Sequence, residues 1–233
     1  MSIILSLETS IPEASVALSH SGEIIAQQGF ESHRQQNKLL FPALEKVIAK
    51  LPNKMTPDLI IVGTGPGSYS GSRISIAAAQ GLSIAYGCPV VGLCSFLGTE
   101  IVAKYDTTYA IGDARRGSYF IAEVKRERPH FKTGEPELLS LEDFTKRIQE
   151  IDTKVTPLFS FEKELSIPDT TEYSVEKSLA SELIRAWESL NSETQEKLLR
   201  TPPQPAYLRA PFITTAKPGH PLLRQKQASP KNT

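Results

Sequence analysis

The sequence predicts a mixed α/β protein built as two successive units, and three features carry that reading. Short strand-like runs open the chain. An apolar run at residues 59–62 leads through a glycine loop into a helical period, and the strand pattern then restarts near Thr107. With 233 residues, the chain is long enough to bury a sizeable core in one large domain or two small ones.

Residues 3–7 alternate apolar and small side chains and read as a strand ending at Glu8-Thr9-Ser10. Residues 15–18 and 23–27 flank a turn at Ser21-Gly22, so the opening is a three-stranded antiparallel meander. From 34 to 51, Leu40, Leu44, Val47, Ile48 and Leu51 recur at helical spacing, and Pro52 and Pro57 bracket the loop that follows. The run 59–62 is continuously apolar, as a strand buried on both faces requires. Beyond the loop, Ile74, Ala77, Ala78, Gly81, Leu82 and Ala85 fall at i, i+3, i+4, i+7, i+8 and i+11, a helix that Gly87 ends before a strand at 90–94. The order β-β-β-α-β-α-β makes one unit.

In the second unit, strands at 108–111 and 118–124 surround "GDARRG", a hairpin connection whose Arg115 and Arg116 form either a solvated tip or an RNA contact. A polar stretch leads to a helix at 141–151, a strand near 155–159 and helix signals from 175 to 199. "TPPQPAYLRAPF" is proline-rich and extended. Residues 214–233 carry Lys217, Arg224, Lys226 and Lys231 with no acid, and are expected to be a disordered basic tail, either solubilising or in contact with nucleic acid.

Composition narrows the chemistry. Hydrophobic residues make up 39% and charged residues 22%, and the formal net charge is zero. The chain as a whole therefore has no electrostatic case for gripping nucleic acid or an anionic membrane by itself. Its apolar runs are strand-sized, far below a bilayer span, and the N-terminus lacks the basic start of a signal peptide. Cys88 and Cys94 lack a metal-ligand pattern and read as buried reduced thiols, which fits a cytoplasmic protein. The four histidines stand singly, so no metal site is predicted.

"GTGPGSYSGSR", residues 63–73, raises the main question. A P-loop needs a lysine after its last glycine, and Ser72 follows Gly71. The dinucleotide fingerprint nearly fits from Gly65, but Ser70 stands where the third glycine belongs. What remains is a loop opening onto a helix N-terminus that Ser68, Ser70 or Ser72 can cap. Backbone N–H groups there favour an anion, and glycine equally serves a tight turn with close packing. Both readings stand on the loop's chemistry.

The helix itself carries no charge from Ile74 to Tyr86. Its far face is read as Ser72, Ser75, Ile76, Ala79, Ser83 and Tyr86, with Ser75, Ala79 and Ser83 an i+4 row of small residues suited to close approach by another helix. Burial inside the same chain is the competing reading. Phe41 is a spare apolar residue on the preceding helix.

Four stretches in this order, "ILSLETS", "GTGPGSYSGSRISIAAAQGLSIAYGCPVVGLCS", "AIGDARRGSYFIAEV" and "PAYLR", resemble the TsaB (YeaZ) family. The match covers residues 3–124 well and thins afterwards. The resemblance implies an actin-like ATPase, ribonuclease H-like fold of two lobes, each a mixed five-stranded sheet flanked by helices. Residues 1–105 would form the N-terminal lobe with its partner-binding helices, and 106–213 the C-terminal lobe. It implies a non-catalytic partner in making threonylcarbamoyladenosine in tRNA, pairing with the catalytic subunit TsaD or with a second copy, joined by the ATPase TsaE, with tRNA met through the complex. No catalytic residue and no membrane contact are implied. Any ATP, ADP or Mg2+ would be residual, held near Glu8, Thr9, Gly65, Gly67, Ser68, Gly71 and Asp113. The partner face would comprise His33, Asn37, Phe41, Arg73, Ser75, Ile76, Ala79, Ser83 and Tyr86.

Three departures weigh against independent activity. Glu8 stands where many relatives of the family have aspartate. His33 is followed four residues later by Asn37, not by the second histidine of the catalytic relative's metal motif. Ten of the fourteen glycines precede residue 101, so no glycine-rich adenosine loop is visible in the second unit. The alternative is a small ATP-dependent phosphotransferase using Glu8, Asp113 and the loop. No Ser/His/acid or zinc spacing supports a peptidase.

Overall fold

Every residue of the first strand is buried, because helices cover both faces of the sheet to which it belongs. The computed structural model describes residues 2–31, 36–52, 55–127, 130–167 and 171–208, without the side chains of 36, 37, 127 and 130. The predicted tail at 214–233 and His33 therefore lie outside the described residues, as does the side chain of Asn37.

The first sheet has the order β3-β2-β1-β4-β5. Strands β1 (Ile3–Glu8), β2 (Glu13–His20) and β3 (Glu23–Glu31) form the antiparallel meander, with Ser21 and Gly22 at positive φ in its turn. Strands β4 (Leu59–Gly63) and β5 (Val90–Leu93) run parallel to β1 and are connected through the helix that follows the glycine loop. Alternation along the strands sends Ile3, Leu5, Leu7, Val16 and Leu18 to one side. There they meet Leu40, Leu44 and Val47 of α1 (Gln36–Ile48) and Ile76 and Ala79 of α2 (Tyr69–Tyr86).

On the other side, Ile4, Ala17, Leu59 and Ile61 meet Leu183, Ile184 and Trp187 of α5 (Ala180–Ser189). This core is shared. Ala110, Phe120, Ala122, Val124 and Phe159 of the second sheet enter it from the opposite direction, together with Phe96 of a 3-10 turn (Ser95–Gly98) and Val102 of α3 (Glu100–Lys104). One apolar layer thus joins the two lobes. Helix α5, downstream in sequence with the second lobe, covers a face of the first sheet.

The second sheet is built on the predicted hairpin of β6 (Thr107–Asp113) and β7 (Ser118–Glu127). Strands β10 (Leu158–Ser160) and β11 (Ser174–Val175) extend it in parallel from β6. On the far edge of β7, β8 (His130–Thr133) and β9 (Glu137–Ser140) pair in succession with its two halves, Val124↔Thr133 and then Ile121↔Glu137. They occupy one edge position as a strand interrupted at 134–136, so six strands fill five places. Helix α4 (Leu141–Gln149) packs Phe144 and Ile148 on the outer face, against Ile111, Ile121 and Leu158.

The helix expected across 175–199 is a correction. Val175 belongs to β11, α5 begins at Ala180, and α6 (Ser192–Leu199) follows a break where the Asn191 side chain accepts from Thr194 N at 2.9 Å as N-cap. Among the described residues no helix is long and apolar enough to cross a membrane.

Candidate functional site

The glycine loop leaves the end of β4 beside the end of β1, and the two turns are locked together by backbone contacts. Ser68 N donates to Ser10 O at 2.5 Å, and Thr9 Oγ1 donates to Gly71 O at 2.8 Å. A Cβ at Gly67 would collide with the Ser10 carbonyl oxygen, and one at Gly71 with that of Thr9. These two glycines are required by close approach of the turns. Ser68 caps α2, its hydroxyl accepting from Gly71 N at 3.1 Å. Gly65 N donates to Ser95 Oγ at 2.9 Å and Ser72 N to Ser68 O at 3.0 Å. The N–H groups of Gly65, Ser68, Gly71 and Ser72 are thus taken up within the chain.

Glu8 lies beneath this junction and is fully buried. Its Oε1 accepts from Ser10 N at 2.7 Å and its Oε2 from Ser178 Oγ at 2.9 Å. Burial pushes the carboxyl above its ordinary range, and the hydrogen bonds from Ser10, Ser95 and Ser178 only partly oppose this. A side chain at Gly63 would run into the Glu8 carboxyl. Burial also pushes the Cys94 thiol up to about 12, so it is inert as a nucleophile.

A cleft of about 1050 Å3 opens between the lobes. The turn after β1, the glycine loop, the ends of β6 and β10, and the segment Ala206–Leu208 line it. Asp113 stands across it from the loop. Arg115 Nη1 pairs with Asp113 Oδ2 at 3.0 Å and Nη2 with Glu162 Oε1 at 3.7 Å, and Asp113 N donates to Glu162 Oε2 at 2.8 Å. Burial, with the Asp113 carboxylate nearby, raises the Glu162 carboxyl, while the Asp113 N–H and the Arg115 guanidinium oppose it. Arg115 and Arg116 both take positive φ at the hairpin tip. Also in the cleft lining, Lys177 pairs with Glu13.

Segment 200–208 returns to the mouth of the cleft. Ala206 N donates to Thr64 O at 2.8 Å, and Tyr207 stacks on Tyr69 with ring centres 5.1 Å apart. Arg73 Nε donates to Tyr207 Oη at 2.7 Å, and its guanidinium lies 4.1 Å from the Tyr69 ring centre. This strap was not predicted beyond its extended, proline-rich character.

The rotation of α2 corrects the sequence reading. The row read as facing outward is turned inward: Ser75 and Ala79 are 0% exposed and Ile76 is also buried, while Ser83 and Tyr86 are half-buried. The Ser83 hydroxyl donates to Cys88 O at 2.5 Å. Small residues there let the helix lie close to β1 and β4. The outward row is Ala77, Gly81, Ile84 and Ala85, with Ile84 84% exposed. Phe41 is 58% exposed on α1, as its spare position predicted. Arg73 is exposed but engaged by its own chain's tyrosines. The loop group Glu8, Thr9, Gly65, Gly67, Ser68 and Gly71 is brought together, and Asp113 faces it across the cleft.

The chain is similar to known proteins. A family model described as TsaD, tRNA N6-adenosine threonylcarbamoyltransferase, matches residues 23–209. The chain is 30% identical over 138 residues to the tRNA threonylcarbamoyladenosine biosynthesis protein TsaB of Escherichia coli, covering 57% of this chain and 59% of that protein. It is 28% identical over 137 residues to TsaB of Haemophilus influenzae, covering 57% and 58%. The match thus spans somewhat less than three fifths of these relatives' length. Among solved structures, YeaZ from Pseudomonas aeruginosa superposes with a TM-score of 0.70 at 21% identity, over 89% of this chain and 100% of that one, which shows the fold. The chain belongs to the family described as TsaD, tRNA N6-adenosine threonylcarbamoyltransferase, and has the fold of the YeaZ structure.

Proposed function

We propose that the chain acts in forming threonylcarbamoyladenosine in tRNA as a non-catalytic scaffold and activator. In this reading it pairs through α1 and α2 with a catalytic TsaD subunit, is joined by TsaE, and meets tRNA through the complex in the cytoplasm. The TsaB names of its relatives support the pathway. The observation that carries the pairing is the outward surface of α2. It is uncharged from Ile74 to Tyr86, with the polar Gln80 exposed on it, and Ala77, Gly81, Ile84 and Ala85 form an exposed row at helical spacing. An exposed helix face of small and apolar residues is suited to close helix–helix contact.

The phosphotransferase reading weighs less, on a specific point. It needs the Glu8 carboxylate at the cleft to hold Mg2+ or take a proton. That group is buried, satisfied by Ser10 and Ser178, and shifted toward its neutral form. Any bound ATP, ADP or Mg2+ would therefore be residual.

The test is reconstitution with TsaD, TsaE, threonylcarbamoyl-adenylate and unmodified tRNA. Modification is expected only when the chain and TsaD are both present, and Ile84→Glu is expected to abolish co-elution and modification at an unchanged melting temperature. Robust turnover by the isolated chain would overturn the scaffold role. Undiminished co-elution of the Ile84→Glu variant would remove the pairing face. Self-association through the same helices would appear as a dimer that TsaD dissociates.

A further inference from the structure

Helix α2 carries one charge along its whole length, and that charge stands at the head of the outward row. From Tyr69 to Tyr86 it is Arg73, and Arg73, Ala77, Gln80 and Ile84 fall at i, i+4, i+7 and i+11, all exposed. The arginine is held in place by its own chain. Its guanidinium lies 4.1 Å from the Tyr69 ring centre and 5.7 Å from that of Tyr207, and Nε donates to Tyr207 Oη at 2.7 Å. Tyr207 is itself stacked on Tyr69 and follows Ala206, whose N–H is bonded to Thr64 O. Among the described residues no carboxylate pairs with Arg73, and its terminal nitrogens Nη1 and Nη2 make no hydrogen bond.

An arginine with one edge fixed and the other open is set up to receive a carboxylate. The two terminal nitrogens present parallel N–H donors that match the two oxygens of a carboxylate. The tyrosines have already taken up much of the rotamer freedom that an exposed arginine would lose on binding. We propose that Tyr69, Arg73 and Tyr207 form a carboxylate receptor at one end of the α2 row, which takes an Asp or Glu side chain from the facing helix of a heterologous partner. The receptor presupposes pairing through α1 and α2, and names the chemistry that the partner must offer there. Tyr207 is its positioning residue.

Charge on the two helices favours such a partner over a second copy. The charged side chains of α1 and α2 are Lys38, Glu45, Lys46 and Arg73, all exposed, three cations against one acid. Helix α2 has no acid at all. Two copies packed on this face would bring an excess of positive charge together, with Glu45 the one helix carboxylate that a second Arg73 could meet. Like charges so placed oppose association, whereas an acid opposite Arg73 turns the same charge into an attraction.

The test uses the full-length chain and TsaD, with the dissociation constant measured at several salt concentrations and the melting temperature as control. Arg73→Gln is expected to weaken pairing roughly tenfold and to flatten its salt dependence, at an unchanged melting temperature. Arg73→Lys should recover only part of that loss, because an ammonium keeps the charge and lacks the fork. Tyr207→Phe keeps the ring, removes the oxygen that fixes Nε, and is expected to weaken pairing about threefold. Arg73→Gln binding TsaD as tightly as wild type, where Ile84→Glu does not bind, would overturn the receptor and leave the pairing face standing. Undiminished binding by both variants would remove the pairing face and the receptor with it. Loss of tRNA from the assembled complex at an unchanged TsaD affinity would assign Arg73 to a phosphate, and a change confined to self-association would assign it to a second copy; either overturns the proposal.

Discussion

Replacing Ala79 or Ala77 of α2 by glutamate separates the two faces of that helix. Ala79 is 0% exposed and packs in the core between α1, α2 and the first sheet, whereas Ala77, two residues earlier, is exposed. A glutamate at 79 adds a side chain to a filled space, which costs about 1–3 kcal/mol. Its carboxyl finds no designed partner there, which adds about 1–3 kcal/mol. The helix has little freedom to roll away, because its first turn is held by the Ser68 cap and by Gly71 against Thr9. The sum is about 2–6 kcal/mol, or a fall in melting temperature of roughly 5–20 °C for a chain of this size. Ala77→Glu should stay within about 0.5 kcal/mol of wild type, as an exposed helical substitution does. Calorimetry supplies the first readout and co-elution with TsaD the second. Ala79→Glu is expected to melt early, and Ala77→Glu to melt normally but lose the partner. An Ala79→Glu variant that melts like wild type would refute the inward rotation of α2, whatever its effect on pairing.

Three further outcomes follow from the loop junction. Gly71→Ala places a Cβ against the Thr9 carbonyl oxygen and should cost about 1–3 kcal/mol by chemical denaturation, since neither backbone can yield cheaply. Ser68→Ala removes the cap of α2 and should cost about 1 kcal/mol in the same assay. Glu8 holds its proton more tightly folded than unfolded, so above the ordinary carboxylate range the unfolded state binds fewer protons and stability falls as pH rises. Glu8→Gln removes that dependence: the variant should gain on wild type between about pH 4.5 and neutrality, and the gap should close on acidification below the ordinary carboxylate range. A gap that widens with acid would show that Glu8 is ionised in the fold.

Much of this architecture was legible because local chemistry and tertiary context agree. The Ser21-Gly22 turn, the buried strand β4, a serine cap on α2 and the stop at Gly87 each follow from the preferences of those residues, and all stand in the structure, with Ser68 the one of three candidate serines that caps. The face of α2 was not legible. Apolar and small residues surround the helix almost completely, so no charged side marks where water lies. Its inward hydroxyls also look polar in sequence, yet Ser72 bonds Ser68 O and Ser75 bonds Gly71 O and Ser72 O. A serine that returns its hydrogen bond to the helix behind it is buried without needing a partner elsewhere. The break between α5 and α6 was hidden for a related reason: Leu190 continues the apolar period, and only the Asn191 cap signals the stop. Strands β8 and β9 escaped notice because they are short, polar edge segments interrupted around Gly134.

The loop at residues 63–73 illustrates how one glycine pattern serves two physical ends. A phosphate cradle uses glycines to expose N–H groups to an anion, and needs those groups to lack other partners. Here Gly67 and Gly71 bring the loop against the carbonyls of Ser10 and Thr9, and Ser68 N is bonded to the first of them. The same contact sets the rotation of α2, since Gly71 and Ser72 are buried in its first turn. That rotation turns Ser75, Ile76 and Ala79 to the sheet and leaves Ala77, Gly81 and Ile84 outside. The glycines therefore act on function one step removed from chemistry: they orient a helix, and the helix presents the uncharged row on which the proposed pairing rests.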